Sequence, residues 1–163
     1  SDQIARMANE GHEIATHTWD HAAGSGKGVS LNLMSTAERK EEVQKGMDAI
    51  KNAANKDASV YFRAPGGNFN DSVANDLRDM VQGEIGWNID TEDWRRPGAD
   101  TIASRIKSAG PGEVILMHDG GGDRSQTVAA LREALPYLKS QGYKFVTISE
   151  LIEAYPYQEG QHS

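Results

Sequence analysis

The chain has 163 residues, of which 37% are hydrophobic and 25% charged, and it carries a net charge of −7. That is the length of at most one ordinary domain, and its acidity argues against nucleic acid or an anionic membrane as the main partner. It has no cysteine, which excludes a disulfide framework and a thiolate metal site, and no apolar run long enough to span a membrane.

In chain order, Ile4, Met7 and Ala8 have helical spacing, and Gly11 is a plausible C-cap, so the chain opens inside a helix. Residues 11–16 read as a short strand. It delivers His17-Thr18-Trp19-Asp20-His21, two histidines four positions apart. On a helical or tightly turned backbone such residues point the same way, and two imidazoles so placed can share one metal ion. Residues 23–28, with four glycine or serine positions and Lys27, form a flexible loop that lacks the spacing of a phosphate loop.

Ser35 with Glu38 three residues on is a capping box, which predicts a helix to about Ala54. Val43, Met47 and Ile50 fall on its inner face, and its charged residues form a solvated face. A strand over 60–62 ends at Arg63-Ala64-Pro65-Gly66-Gly67. Asn70 caps a helix to about Val81, with Val73, Leu77 and Met80 inward. A strand over 85–89 ends at Asp90-Thr91-Glu92-Asp93-Trp94, and a short helix follows over 99–108. Residues 114–117 are a continuous apolar run, typical of a buried parallel strand, and end at His118-Asp119. A helix over 126–140 turns Val128, Leu131, Leu135 and Leu138 inward, with Pro136 kinking it. A last strand over 143–147 precedes a small helix capped by Ser149.

Strands alternating with helices predict an α/β fold with parallel strands, and each unusual motif lies just after a strand. In a βα barrel those strand ends gather on one face. The chemistry is then legible by residue type. The His17 and His21 pair suits a divalent ion. An arginine such as Arg63 orients a carboxylate through paired hydrogen bonds, or makes a structural salt bridge. Gly66 and Gly67 let backbone approach a ligand, so an amide here can serve as an oxyanion donor; an ordinary turn is the alternative. Asp90 and Asp93 both lie near Trp94. A buried aspartate bonded to a histidine favours the imidazolium, and His118 is the candidate histidine, suited to protonate a leaving group. Trp87, Trp94 and Leu116 are candidates to line an apolar pocket.

Taken together, HTWDH, RAPGG, DTEDW and ILMHD, in this order, resemble the NodB-homology polysaccharide deacetylases, carbohydrate esterase family four. The resemblance runs from about Gly11 to Tyr155. It implies a distorted (β/α) barrel and a divalent metal, most often zinc, whose bound water attacks the acetyl group of an acetylated sugar. Carried onto these residues, it makes His17 and His21 metal ligands. It makes Arg63 the residue that orients the catalytic base, and the Gly66 amide an oxyanion donor. Asp93 would tune His118, with Asp90 second in line, and His118 would be the general acid. Trp94 and Leu116 would shape the pocket for the acetyl methyl. His12 matches no ligand position, and Asp119 and Asp123 are not recruited.

The departure is the family's Thr-Phe-Asp-Asp-Gly motif, which supplies the base and the third metal ligand and has no counterpart in residues 1–11. The expectation is therefore a C-terminal portion of a deacetylase domain over 1–157 with a tail over 158–163, missing its first βα units. It would be partnered by an N-terminal fragment carrying the Asp-Asp pair. The substrate expected is an N-acetylated polysaccharide such as peptidoglycan or chitin, met outside the cell or at its surface. O-acetyl xylan and an inactive saccharide-binding module are the alternatives.

Overall fold

The computed structural model describes residues 2–24, 26 and 28–155. Ser25 and Lys27 of the glycine-rich loop, and the tail expected over 158–163, lie outside the described residues. The chain divides into two compact units between Gly86 and Trp87. Among the described residues, no helix is long and apolar enough to cross a membrane.

The first unit begins with helix α1, Asp2–Asn9. It stops where Gly11 takes a left-handed φ of 89°. The Gly11 amide donates to the Ala8 carbonyl and the His12 amide to Met7, which is the Schellman arrangement that glycine permits at low cost. Helix α2, Thr36–Ala54, carries the predicted capping box: the Ser35 side chain accepts from the Glu38 amide, and the Glu38 carboxylate accepts from the Ser35 amide. Such a cap contributes about 1 kcal/mol. Asn55, in the left-handed region, closes the helix. Helix α3, Asp71–Leu77, is capped by the Asn70 side chain, as expected, but ends a turn earlier than the apolar spacing predicts.

Strands in this unit are shorter than the sequence predicts. Strand β1, Tyr61–Phe62, pairs in parallel with β2, Gly83–Glu84. The stretch expected as a strand over 11–16 makes one parallel bridge, Thr16 to Phe62, flanked by hydrogen bonds from the Ser59 amide to Ile14 and from the Arg63 amide to Thr16. Leu31, Val43, Phe62, Ala64, Val73, Leu77 and Val81 form the core, with Met34, Met47 and Met80 packed on it.

One charged residue of α2 does not belong to a solvated face. Arg39 is 5% exposed. Its guanidinium donates to the carbonyls of Leu31 and Asn32, to the Ser72 hydroxyl and to the Asp76 carboxylate, at 2.7–2.9 Å. It ties the segment before α2 and both ends of α3 to one point.

In the second unit, β3, Ile89–Asp90, pairs in parallel with β4, Ile115–Leu116. The single strand expected over 85–89 is thus two ladders: the Ile85 amide bonds to Phe62, and the Asn88 amide to Val114. Helices α4, Ala99–Lys107, and α5, Ser125–Ser140, pack on each other through Ile102, Ala103, Ile106, Ala130, Ala134 and Leu138. The inward face of α5 is therefore one of small residues. Leu138 and Leu131 belong to it, but Val128 and Leu135 are exposed, because close approach of two helices selects alanine at the contact. Pro136 lies inside α5 as predicted. The stretch over 143–147 forms no ladder among the described residues, and Phe145 and Val146 are exposed. The last helix, α6, Ile148–Ala154, is capped by Thr147, not Ser149; Thr147 and Glu150 form the box.

Candidate active-site residues

The two units each hold one cluster of the residues singled out above, and each cluster is built by its own neighbours.

In the first unit, residues 17–21 are a bent loop rather than a helical turn. Thr18 and His21 both adopt left-handed φ, 66° and 51°. The turn brings the imidazoles of His17 and His21 together, ring centroids 4.7 Å apart and nearly edge-to-face. His17 Nδ1 lies 2.7 Å from the Arg63 carbonyl. A carbonyl only accepts, so Nδ1 carries the proton, and in the neutral ring the lone pair is on Nε2. A ring held through one nitrogen by a carbonyl, with the other able to ligate, is the usual arrangement of a metal-binding histidine. The pair fits a divalent ion as two of the ligands that a catalytic site needs. Among the described residues, no group of three His, Cys, Asp or Glu side chains is gathered to hold a metal.

Arg63 is half-buried. Its Nε donates to the Ile85 carbonyl at 2.8 Å and its Nη2 to Gly86 at 3.1 Å, which sets the plane of the guanidinium. Burial lowers its pKa, against the opposing pull of Glu84. Glu84 is itself pushed upward by burial, partly offset by the Ala64 amide and Arg63. Gly66 has a φ of 65° in the turn over 65–67, and a Cβ there would meet Asn68 Nδ2 at 3.0 Å. Glycine is therefore required at this corner. The amides of Gly67 and Asn68 are spent on the turn itself, bonded to Ala64 and Pro65. A cavity of about 270 Å³ lined by Phe62, Phe69, Leu77, Val81 and Glu84 also lies in this unit; none of the candidate site residues lines it.

In the second unit, geometry separates the two aspartates. Asp90 is exposed and turns back to accept from the Glu92 amide. Asp93 is 1% exposed. Its Oδ1 lies 2.7 Å from His118 Nδ1, and its Oδ2 accepts from the His118 amide and from the Thr127 hydroxyl, both at 2.8 Å. A carboxylate can only accept here, so His118 Nδ1 donates and Nε2 is the atom left to exchange a proton with a ligand. The imidazole is 39% exposed, the carboxylate fully buried. Burial disfavours the Asp93 anion, but the bonds from the His118 side chain, its backbone and Thr127 outweigh it and hold the pKa below the ordinary 3.8. Thr127, on α5, is a partner that sequence reading missed, because a threonine in a helix carries no local mark of a contact 34 residues back.

Trp94 is half exposed, with the Arg95 guanidinium 4.7 Å from its ring centre. Leu116, in β4, is half-buried, and its carbonyl accepts from the Thr91 hydroxyl and amide. Trp87 is 36% exposed.

The Asp93 cluster has a consequence for stability. A carboxylate whose folded-state pKa is depressed stabilises the fold above its unfolded value of about 3.9, and that contribution is lost as pH falls through the folded value. Stability measured by urea unfolding should therefore drop between pH 5 and pH 3. Asp93→Asn should lower stability at pH 7 and show a shallower acid loss than the parent. An identical acid loss in both would mean that Asp93 does not contribute to it.

The sequence profile described as polysaccharide deacetylase matches residues 1–81. The peptidoglycan-N-acetylglucosamine deacetylase of Bacillus cereus is 37% identical over 152 residues, covering 91% of this chain and 67% of that protein. The chitooligosaccharide deacetylase of a Bradyrhizobium strain is 33% identical, covering 91% and 70%. Among solved structures, a family-four carbohydrate esterase pseudoenzyme from Bacillus anthracis superposes with a TM-score of 0.77 at 31% identity, over 91% of this chain and 49% of its own. The chain belongs to the polysaccharide deacetylase family, and its α/β fold with parallel strands is the fold of that family.

Proposed function

We propose that this chain takes part in metal-dependent N-deacetylation of an N-acetylglucosamine polymer such as peptidoglycan or chitin, outside the cell or at its surface. The observation that carries the reading is the imidazole pair, 4.7 Å apart, with His17 held in the metal-binding tautomer by the Arg63 carbonyl. The Bacillus cereus and Bradyrhizobium relatives, whose names specify peptidoglycan and chitooligosaccharides, support the substrate class.

When bound by His17 and His21, a divalent ion, zinc by the family resemblance, supplies Lewis-acid polarisation and a more acidic water. The chain's own residues do the rest. The Gly66 amide donates to the oxygen on which negative charge develops, where a fixed donor is worth most. His118, its Nδ1 donating to Asp93, presents Nε2 and delivers a proton to the departing sugar amine. Asp93 stabilises the charged ring and Thr127 holds Asp93. Trp94 and Leu116 shape the pocket for the acetyl methyl, and Arg63 orients the catalytic base. The resemblance assigns that base and a third metal ligand to an aspartate pair carried on a further segment, and the reading takes them from there.

The test has two parts. Zinc titrated into the full chain should bind at one site that His17→Ala abolishes. With a polypeptide bearing the Asp-Asp motif supplied alongside, acetate should be released from chitooligosaccharide or peptidoglycan in preference to acetylxylan. Binding unchanged by His17→Ala, or no acetate from any of these substrates, sinks the enzyme reading. The likeness to the Bacillus anthracis pseudoenzyme favours one second reading, an inactive saccharide-binding module. It predicts glycan binding that survives both chelation and His118→Ala.

A further inference from the structure

The loop that presents His17 and His21 is held from outside by a side chain that none of the motifs contains. Glu42, on α2, accepts two backbone hydrogen bonds at a single oxygen: Oε2 takes the amide of Trp19 at 3.1 Å and that of Asp20 at 2.9 Å. These are the two residues at the apex of the turn, between Thr18 and His21, both in the left-handed region that non-glycine residues avoid. A backbone bent this way persists only where its surroundings hold it.

The helix is built to come close. Gly46 lies one turn after Glu42 on the same face. A Cβ on Gly46 would stand 2.0 Å from Thr16 Oγ1 and 3.4 Å from the Thr18 carbonyl carbon. Glycine at 46 thus lets α2 run directly beneath the loop, and residue 42 then reaches the two amides. The loop's own polar groups do little of this work. The Thr18 amide folds back onto Thr16 Oγ1 at 3.2 Å. Thr18 Oγ1 is buried and has no hydrogen-bond partner among the described residues.

We infer that Glu42 is a positioning residue for metal binding: by clamping the Trp19 and Asp20 amides it holds the turn in which the His17 and His21 rings face one another. The inference rests on the reading of His17 and His21 as metal ligands. It adds a residue whose effect on the metal is exerted through the backbone. Second-sphere groups that orient ligands typically change metal affinity by about 10–100-fold when removed.

The experiment compares the parent full chain with Glu42→Ala, Glu42→Gln and His17→Ala. Zinc affinity is measured by competition with a chromophoric chelator, and exchange of the Trp19 and Asp20 amides is followed by NMR without metal. Glu42→Ala should weaken zinc by about 10–100-fold and speed exchange of those two amides. Glu42→Gln, whose side-chain oxygen still accepts, should recover most of both. Parent-like zinc affinity in Glu42→Ala, with His17→Ala abolishing binding, overturns the positioning role and leaves the metal reading standing. Parent-like binding in His17→Ala overturns the metal reading, and this inference with it. Unchanged exchange at Trp19 and Asp20 in Glu42→Ala overturns the clamp whatever zinc does.

Discussion

With the polypeptide bearing the Asp-Asp motif supplied alongside, His118→Ala should lower acetate release by about 10²–10⁴-fold, the usual contribution of a positioned general acid, with the fold intact. The argument starts from burial. The His118 ring is partly exposed, while its partner Asp93 is fully buried, so the dyad presents one face to solvent and anchors the other. Oδ1 of Asp93 takes Nδ1–H, and Oδ2 takes two further donors, the His118 amide and Thr127. The carboxylate takes three donors, and the ring is fixed in both tautomer and direction. Truncating His118 removes the proton donor but leaves Asp93 its bonds to the His118 amide and Thr127, which is why stability should change little. Added imidazole should restore part of the lost rate in His118→Ala. Asp93→Asn should cost activity by a different route. If its amide oxygen keeps the two Oδ2 donors, its NH₂ group faces Nδ1 and drives the ring's proton to the other nitrogen, so the imidazolium loses its counter-charge. Added imidazole should not rescue that variant. A rate in His118→Ala within tenfold of the parent would remove His118 from the chemistry.

What the sequence revealed, and what it hid, follows from the range of the interactions involved. The capping box at Ser35 and Glu38, the Asn70 cap and the Gly11 stop are made within a few residues of themselves, and each forms as read. The Thr147 cap is equally legible, since Glu150 stands three residues on, whereas the residue three on from Ser149 is Ile152. Strands were harder because a strand exists only through its neighbour's hydrogen bonds. Residues 11–16 and 143–147 have the composition of strands, yet the first makes a single bridge and the second no ladder among the described residues.

The candidate site shows the same division. The motif residues were found from local pattern: an imidazole pair, a glycine turn, an aspartate with a tryptophan, a histidine after an apolar run. The residues that hold them were not. Glu42 reaches the amides of Trp19 and Asp20 from 22 or 23 positions away, and Thr127 reaches Asp93 from 34. A glutamate on a helix read as solvated, or a threonine on a helix, carries no local sign of such a contact. Local pattern offers both Asp90 and Asp93; the resemblance puts Asp93 first, and Asp93 is the one that is buried and bonded to His118. Glu42 of α2 thus steadies the His17 and His21 loop directly, while Thr127 of α5 acts on His118 one step removed, through Asp93.

The largest effect on stability should come from Arg39, which belongs to none of the motifs. Arg39→Ala is expected to destabilise the chain by about 3 kcal/mol, because it breaks a buried, fully hydrogen-bonded charge. At roughly 2–4 °C per kcal/mol for a chain of this size, the thermal midpoint should fall by about 6–12 °C. The loss has three sources. The Asp76 carboxylate, only 20% exposed, loses its cation. The Leu31 and Asn32 carbonyls lose their donors in a place that water reaches poorly. The aliphatic stem leaves a void next to a core that contains Leu31 and Val43. Arg39→Lys separates these sources. It keeps the charge and much of the stem, but an ammonium is a point donor and does not span four acceptors as a planar guanidinium does. It should retain the attraction to Asp76 and lose the carbonyl bonds, recovering about half of the deficit. Arg39→Met keeps the volume without the charge, and should fall closer to alanine if the polar groups dominate. A loss below about 1 kcal/mol in Arg39→Ala would mean that the segment before α2 and helix α3 are held by packing alone.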